Sequence, residues 1–434
     1  MLINTRSSSL LPMLIIGILF FTFGFVTWLN GSLIPFLQIA CELSHTEAYL
    51  VTMAFYIAYT IMALPMSMVL RRTGYKNGMV LGLLVMMVGS LIFIPAALSR
   101  TYSVFLMGLM VLGTGLTILQ TAANPYIVVI GPRETAAVRI SMMGVLNKLA
   151  GVVAPLVFTA WVLSDISQFS EGALAAMSVS DKTEALVDLS SRLMTPYAIM
   201  AMLLLLLAAF VKFSPLPEPD LGEESTESGI SRSILSHPQL MLGVAALFCY
   251  VGAEVIAGDT IGLFGKGLGV NNFGQLTSYT MGFMVLGYLI GMLLIPRWIS
   301  QSKALMVSAA LGIVLSVLIY TASPDNYGVW SSLLLWTGVQ GIPNVVLYVA
   351  LFGLANALVW PAIWPMALEG LDAKETSTGS ALLIMAIAGG ALLPMLYGLV
   401  ADILQDSQTS YLLMIPCYLF ILFYAFKGHK LRQW

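Results

Sequence analysis

The chain has 434 residues, of which 59% are apolar and only 9% are charged, with a formal net charge of −2 at neutral pH. Soluble domains carry roughly 25% charged residues, so this composition indicates a polytopic membrane protein and excludes a soluble enzyme core. A charge balance near zero gives no basis for nucleic-acid binding. The three cysteines, Cys41, Cys249 and Cys417, lie in or beside apolar runs without metal-ligand spacing. We therefore expect no metal site and no cofactor.

Apolar runs of about 20 residues, the length that crosses a bilayer, recur along the whole chain. The predicted spans cover residues 11–38, 47–70, 77–98, 101–130, 138–164, 193–213, 239–265, 273–297, 303–322, 343–369, 376–403 and 409–427. A polar stretch rich in Pro, Ser and Glu follows the sixth span and predicts a solvated linker. The predicted division is a six-helix bundle over 1–213, a cytoplasmic linker over 214–238 and a second six-helix bundle over 239–434. The apolar stretch 330–349 fits this count poorly and favours an interfacial or re-entrant segment.

The positive charges predict the orientation of the chain. If both termini are cytoplasmic, 14 of the 19 Lys and Arg residues fall on the cytoplasmic side and four fall outside. The remaining one, Lys148, lies inside the membrane. Such an excess of basic residues on one side is typical of the cytoplasmic face, so we expect both termini there.

The sequence also repeats. The stretch GPRETAAVRISMMGVLNKLAGVVAP, beginning at residue 131, is similar to GLDAKETSTGSALLIMAIAGGALLP, beginning at residue 370. Both have a basic-Glu-Thr turn, Arg133-Glu134-Thr135 and Lys374-Glu375-Thr376, and both then have Gly and Pro four residues apart. The fifth and eleventh spans therefore occupy equivalent places. Two six-span halves related by a parallel repeat are a transporter plan with the substrate between the halves near the midplane.

Several motifs carry a family resemblance. The loop LRRTGYKNG after the second span resembles the cytoplasmic signature loop of the major facilitator superfamily, with Arg71 where that signature usually has Asp. The stretches WLNGSLIP, LQTAANPYIVVIGP, FCYVGAE and SALLIMAIAGGALLPMLYGLVAD resemble the fucose/glucose–galactose/N-acetylglucosamine permease family of that superfamily. The resemblance covers nearly the whole chain. It implies an all-α major facilitator fold of 12 transmembrane helices in a bacterial inner-membrane protein that takes up sugar with protons or sodium.

Two departures from the family pattern concern ion coupling. The fucose permease pattern has an Asp where Gly31 stands and a Glu where Gln120 stands. These two carboxylates are the expected proton carriers of that branch, so its proton mechanism does not transfer. The stretches WLNGSLIP and NKLAG look instead like the branch that handles glucose, related hexoses or N-acetylglucosamine. In the family an Asn stands at the place of Asn147, which the resemblance implies as a sugar contact.

Sugar recognition needs hydrogen-bonding side chains and flat aromatic faces, and both occur at membrane depth. The candidate substrate contacts are Trp28 and Asn30 in the first span, Gln120 and Asn124 in the fourth, Asn147 and Lys148 in the fifth, and Asn356 and Trp360 in the tenth. Amides also tie helices together in membrane bundles, and Trp often anchors a span at the interface. The Asn124-Pro125 pair predicts a helix break with a structural role.

Lys148 is the only charged residue between Arg139 and Asp165. Nine residues of helix, about 13 Å, separate it from Arg139, which is too far for a lysine to reach the cytoplasmic face comfortably. We expect it to pair with an acid of the seventh span, Glu254 or Asp259, in a charge network that binds the coupling ion or the sugar. On an ideal helix these two acids point about 140° apart, so they share one site only if the helix breaks in the Gly-rich stretch that follows. A fixed positive charge at Lys148 also fits a uniporter in which it replaces the coupling cation.

Three classes of function remain to be compared. A carrier that imports a glucose- or galactose-type hexose by alternating access, coupled to H⁺ or Na⁺, fits the repeat and the resemblance. A membrane-embedded enzyme would need clustered catalytic groups, whereas all three histidines lie in loops or at ends. A channel would need a filter-like segment. Within transport, N-acetylglucosamine and uncoupled uniport stay open; the expected partners are the sugar and the lipid bilayer, and the superfamily usually acts as a monomer.

Overall fold

The computed structural model of the protein describes residues 10–129, 136–216, 234–295, 297–333, 341–371 and 373–434. Every regular element within these residues is helical. The helices of the first half are span one (Leu10–Trp28 and Asn30–Cys41), span two (His45–Thr73), span three (Tyr75–Ser99), span four (Tyr102–Val129), span five (Ala136–Val162) and span six (Met194–Phe213). Those of the second half are span seven (Pro238–Asp259 and Ile261–Gly267), span eight (Leu276–Leu294), span nine (Gln301–Thr321), span ten (Asn344–Asn356 and Val359–Leu368), span eleven (Ala373–Met385 and Gly389–Leu404) and span twelve (Met414–Phe426).

The predicted number of spans agrees with the helices. In the described part of the chain, eleven helical stretches are long and apolar enough to cross a membrane. Span two is not among them, but its 29 residues extend about 43 Å, which exceeds the hydrocarbon thickness of a bilayer. It stands between two of the eleven, where a span is predicted. The described residues therefore form an all-α, polytopic membrane fold with twelve spans, four of which consist of two helices each.

The two halves meet along two long helix pairs. Span two packs along span eleven, and span five packs along span eight. Span one packs on span five inside the first half, and span seven packs on span eleven inside the second. The same pairing thus recurs in both halves, as the sequence repeat predicts. The repeated turn itself is described only in part, because Arg133-Glu134-Thr135 lie outside the described residues.

We call the end of the bundle that carries the loops after odd-numbered spans the distal end, and the end where the described chain begins and finishes the proximal end. At the distal end, hydrogen bonds between described residues join the halves at three places. Ser32 donates to the carbonyl of Gly274 at 2.5 Å, and Nζ of Lys266 donates to Gln38 at 2.7 Å. The third contact joins the backbone N–H of Thr46 to the carboxylate of Asp402 at 2.8 Å. The distal end of the bundle is therefore closed.

A charge network outside the membrane fixes the first distal loop. Glu42, which has a left-handed backbone, accepts from Lys182 at 2.7 Å and from Arg100 at 2.6 Å. The hydrogen bonds from Lys182 and then from Arg100 hold the pKa of Glu42 below its ordinary value. All three residues belong to the first half, so this network stabilises one bundle and does not join the two.

Two predictions concern segments that are only partly described. In the stretch 330–349, a short helix Gly328–Leu333 covers the beginning, residues 334–340 lie outside the described residues, and Asn344 begins span ten. The end of that stretch is therefore part of a span rather than a separate interfacial segment. Most of the predicted linker 214–238 also lies outside the described residues. The division of the chain into 1–213, 214–238 and 239–434 stays a prediction.

Candidate substrate site

A buried ion pair joins the two halves near the middle of the bundle. Nζ of Lys148 on span five lies 2.6 Å from Oε1 of Glu254 on span seven. The two residues are 7% and 8% exposed. Taking both charges out of water costs several kcal/mol per ion, which a short charge-assisted hydrogen bond offsets in part. The sequence left two acids open as partners of Lys148, and the structure places Glu254 there.

The indole ring of Trp28 closes one side of this ion pair. Nζ of Lys148 lies 4.3 Å from the ring centroid, which is a cation–π distance. Glycines on both sides make room for the ring, because a Cβ at Gly151 would come within 2.7 Å of it and a Cβ at Gly258 within 2.5 Å. The first helix of span one ends at Trp28, so the ring lies where the span is interrupted. Trp28 therefore fills a slot between spans five and seven.

The amide of Asn147 lies next to this ring. Its Oδ1 accepts from Nε1 of Trp28 at 3.4 Å, and its Nδ2 donates to the carbonyl of Phe20 at 3.5 Å. Both bonds are long, and the side chain is half-buried. Spans one and five touch through their backbones here, because any Cβ at Gly24 would overlap the carbonyl oxygen of Asn147. The backbone thus fixes the position of Asn147, while its amide makes only weak bonds that a ligand can replace.

Two tyrosines that the sequence analysis did not single out complete the surroundings of Glu254. The hydroxyls of Tyr250, one helical turn earlier on span seven, and of Tyr288, on span eight, lie within electrostatic reach of its carboxylate. The hydroxyl of Tyr288 also faces span five, where a Cβ at Gly144 would lie 3.5 Å from it. The spacing of four residues between Tyr250 and Glu254 is visible in the sequence. The contribution of Tyr288 comes from packing between the halves and has no local signal.

Aromatic side chains extend the site towards span ten. The rings of Tyr250 and Trp360 lie 6.3 Å apart, and Trp360 stacks on Trp364 at 5.2 Å with an angle of 29°. Both tryptophans are half-buried. Trp360 is therefore connected to the ion pair through Tyr250, and it presents an aromatic face that is only partly covered.

Gln120 reaches the site through a second aromatic layer. Its Nε2 donates to the hydroxyl of Tyr59 on span two at 3.0 Å. Tyr59 stacks on Tyr56 with the ring centroids 6.1 Å apart, and Tyr56 lies within electrostatic reach of Glu254. Gln120 thus occupies the rim of the site rather than its centre.

Three predicted contacts are not brought to the ion pair. Asn356 accepts from the hydroxyl of Tyr418 on span twelve at 3.0 Å, which places it inside the second half. Asn30 is 2% exposed and its Nδ2 has no hydrogen-bond partner among the described residues. Asn124 is half-buried on span four, and the helix there continues without a break through Pro125. The predicted break is wrong, because neighbouring helices in a membrane bundle tolerate a proline by small local adjustments.

The second acid of span seven lies apart from the first. Asp259 ends the longer helix of span seven, Thr260 follows, and a new helix begins at Ile261. The break expected in the Gly-rich stretch is therefore present. It does not bring the acids together, since Glu254 faces Lys148 and Asp259 is completely buried without a hydrogen bond to either oxygen from any described residue. The two carboxyl groups have different surroundings.

The centre of the site offers one ammonium donor, one carboxylate acceptor, one amide that does both, and aromatic surfaces. A neutral, polyhydroxylated ligand matches this set, because each hydroxyl donates and accepts at once. The groups come from spans one, five, seven and ten, so a ligand among them contacts both halves. In the described residues no cluster of three metal-ligating side chains is present.

Such a fold, with repeated six-helix halves and a polar site between them, defines a membrane carrier. A sequence profile of the Major Facilitator Superfamily matches residues 16–394. The chain belongs to the major facilitator superfamily, and it is a membrane transporter rather than an enzyme.

The similarity extends over nearly the full length of several transporters. A glucose/galactose transporter of Brucella abortus is 34% identical over 420 residues, which are 95% of this chain and 93% of the relative. The L-fucose-proton symporter of Escherichia coli is 26% identical over 427 residues, which are 96% of this chain and 93% of the relative. A crystal structure of a variant of that fucose:proton symporter superimposes with a TM-score of 0.72 at 25% identity, covering 96% of this chain and 98% of that one.

Proposed function

We propose that the protein imports a glucose- or galactose-type hexose by alternating access, and that the sugar binds between Lys148 and Glu254. The ion pair that bridges the halves at 2.6 Å is the observation that carries this proposal. A sugar hydroxyl inserted between the two groups accepts from the ammonium and donates to the carboxylate. Both charges then keep a hydrogen-bond partner, so the desolvated pair loses little when its direct contact opens.

A sugar placed between Lys148 and Glu254 also lies next to Asn147 and Trp360. Asn147 exchanges its long bonds to Trp28 and Phe20 for a hydroxyl of the sugar, and the partly covered face of Trp360 packs on the apolar face of the ring. Gln120 contacts the sugar from the rim of the site. The printed names of the relatives from Brucella abortus and Escherichia coli, both sugar transporters, support this choice of ligand.

The location and orientation are part of the proposal. Bacterial relatives and the excess of basic residues on one side support the inner membrane with both termini cytoplasmic. The distal end then faces outwards, and the closed distal contacts describe a conformation shut towards the outside. We propose that a monomer carries out this cycle, because each chain supplies both halves of the site.

Entrance counterflow in proteoliposomes tests the proposal directly. Vesicles loaded with unlabelled glucose, galactose, N-acetylglucosamine or L-fucose receive a trace of the same labelled sugar outside. We expect a transient overshoot with glucose and galactose, which only a carrier produces, and no overshoot in vesicles without protein. Overshoot with N-acetylglucosamine alone would replace the hexose assignment, and simple equilibration without overshoot would contradict a carrier.

Matched variants locate the sugar site. Lys148→Gln and Glu254→Gln should each abolish counterflow, because each removes one side of the hydroxyl contact and leaves the other charge buried alone. Asp165→Asn is the control, since it breaks an ion pair with Arg192 in the distal loops, outside the membrane. Counterflow at the wild-type level in both Lys148→Gln and Glu254→Gln would show that the ion pair is not part of the sugar site.

A further inference from the structure

Asp259 differs from every other acid described within the spans because it has no partner. It is 0% exposed, and neither carboxyl oxygen has a hydrogen bond from any described residue. Glu254, on the same helix, has Lys148 at 2.6 Å. A fully buried polar group without a partner is unusual in proteins and calls for a functional explanation.

The groups that face Asp259 from span two are uncharged in their ordinary state. The hydroxyl of Thr52 faces the carboxyl, yet neither group completes a hydrogen bond of standard geometry. Tyr49 and Tyr56, on the same span, lie within its electrostatic reach. The only charged group acting on Asp259 among the described residues is Glu254, which is also acidic.

The other neighbouring elements present groups that are already bonded. Thr260 shares a hydrogen bond of 2.7 Å with the hydroxyl of Tyr411, which belongs to the segment leading into span twelve. From span eight, Thr277 donates to the carbonyl of Gly258 at 2.7 Å, and Thr280 donates to that of Ala257 at 3.2 Å. The hydroxyls of Thr277 and Thr280 donate to backbone carbonyls, and that of Thr260 shares its bond with Tyr411. None of the three forms a hydrogen bond with the carboxyl of Asp259.

A charged carboxylate in such a place is costly, whereas a protonated carboxyl is neutral and tolerable. A sodium ion would need several oxygen ligands around it, whereas the hydroxyl of Thr52 is the one that faces this carboxyl directly, and no cluster of three carboxylate, imidazole or thiol ligands is present among the described residues. The surroundings of Asp259 therefore favour a bound proton over a bound metal ion. We propose that Asp259 is the proton-carrying group of transport, an inference that rests on the proposed function and assigns its coupling ion.

The distal contacts explain how the proton enters. Asp259 lies in the distal half of span seven, and Ser32, Gln38 and Thr46 close the bundle above it through their contacts with the second half. When these contacts part, span two moves away from span seven and the carboxylate meets water on the outer side. It binds one proton there, the bundle closes, and the proximal opening releases that proton to the inner solution. One O–H bond forms and breaks per cycle, and one proton crosses with each sugar.

With Asp259 as the proton-carrying group, the coupling residue lies on a different span from the two carboxylates of the fucose permease pattern. Gly31 and Gln120 stand where the fucose permease pattern has its two carboxylates, so neither can carry a proton in this chain. Asp259 supplies an unpaired protonatable group on span seven rather than on spans one and four. Lys148 and Glu254 remain a paired, neutral unit for the sugar.

The test compares two readouts in the same proteoliposomes. Counterflow needs the carrier and its sugar site but no ion gradient, whereas accumulation above equilibrium needs coupling. For the wild type, an inward gradient of one pH unit should accumulate glucose or galactose by up to about tenfold if one proton crosses with each sugar. Asp259→Asn should keep counterflow and reduce this accumulation to equilibration. Asp165→Asn, in the distal loops, should retain both readouts.

Several outcomes would overturn the inference. Accumulation by Asp259→Asn at the wild-type level would show that the proton binds elsewhere. Accumulation of sugar by the wild type under a sodium gradient alone would assign sodium instead, and equilibration under every gradient would describe a uniporter. Failure of wild-type counterflow is a different result, because it contradicts the proposed function and not only its coupling.

A second pair of variants decides the matter if Asp259→Asn does not fold, as judged by its elution and melting in detergent. Asp259→Glu keeps a carboxyl group, and Thr52→Val removes the hydroxyl that faces it. Both should retain counterflow, and both should shift the pH at which proton-driven accumulation is half-maximal. An unchanged pH profile in both variants would overturn the assignment.

Discussion

Spans five and eleven are copies of one repeat, yet only span five carries a charge near its middle, at Lys148. In span five Gly151 packs against Trp28 of span one and Met281 of span eight. In span eleven the equivalent Gly390 packs against Val255 of span seven and Tyr56 of span two. Each glycine would therefore contact the first span of its own half and the second span of the other half. The repeat reproduces the packing of the bundle in both halves.

The chemistry of the two copies is different. If Gly151 is aligned with Gly390, the positions of Asn147 and Lys148 correspond to Ala386 and Ile387. Ile387 is 9% exposed and packs in the apolar core, while Lys148 at the corresponding place binds Glu254. The two copies thus share the glycines that allow close helix packing, whereas the polar side chains at these two positions occur in span five alone. The packing of the repeat therefore does not itself require a charge at this position, because span eleven has Ile387 there.

The largest effect is expected when the first copy is given the side chain of the second. Lys148→Ile leaves Glu254 buried without its partner, which should cost about 3–5 kcal/mol of folding stability and abolish transport. Thermal unfolding in detergent and sugar counterflow measure the two effects. The double variant Lys148→Ile with Glu254→Leu should recover stability but not transport. Recovery of transport in the double variant would contradict a role of the pair in sugar binding.

Close backbone contacts should be equally important in both copies. A Cβ at Gly24 would overlap the carbonyl of Asn147 on span five, and a Cβ at Gly389 of span eleven would overlap that of Phe248. Gly24→Val and Gly389→Val should each lower stability by about 1–3 kcal/mol or more, because the helices must separate. Gly172→Val, which has open space around it, is the control for thermal unfolding. Tolerance of one substitution and not the other would show that the two scaffolds differ.

A smaller effect is expected at the neighbouring position of the repeat. Asn147→Ala introduces the residue of the second copy and removes hydrogen bonds worth about 1 kcal/mol, so the KM for sugar should rise roughly fivefold with little loss of stability. Initial rates of uptake at several sugar concentrations give the KM. The reciprocal change Ala386→Asn should leave the KM unaltered. A KM of Asn147→Ala equal to that of the wild type would place this amide outside the sugar site.

The smallest effect is expected for the exposed ion pairs of Glu42 with Lys182 and Arg100, which contrast with the buried ion pair of span five. Lys182 and Arg100 lower the pKa of Glu42 in the folded protein below 4.5. Its contribution to stability is therefore present above pH 4.5 and is lost as the pH falls through the lowered value. Because the side chain is 49% exposed, Glu42→Gln should cost less than about 1 kcal/mol near neutral pH. Melting temperatures of wild type and variant should converge on acidification, and a constant difference would contradict the network.

The sequence was most informative where a pattern is local or repeated. Apolar runs predicted twelve spans, and the repeat predicted equivalent places for spans five and eleven, both of which the helices reproduce. An isolated lysine in an apolar run predicted a buried charge with an acidic partner, because a bilayer leaves such a charge few other solutions. The proline after Asn124 misled the same reasoning, since its effect depends on packing by neighbouring helices.

Only the tertiary structure distinguished the two acids of span seven. They are five residues apart and equally apolar in their flanks, so no local pattern shows which one meets Lys148. Packing of span five along span eight leaves Lys148 paired with Glu254 of span seven, and Thr52 of span two faces Asp259. The same holds for Asn356, which its place in span ten predicts as a sugar contact and which packing places against Tyr418. Sequence thus determined the helices, their repeat and the presence of a buried charge. The partners of the buried polar groups were decided by tertiary contacts, because these join residues far apart in the chain, 106 positions for Lys148 and Glu254 and 62 for Asn356 and Tyr418.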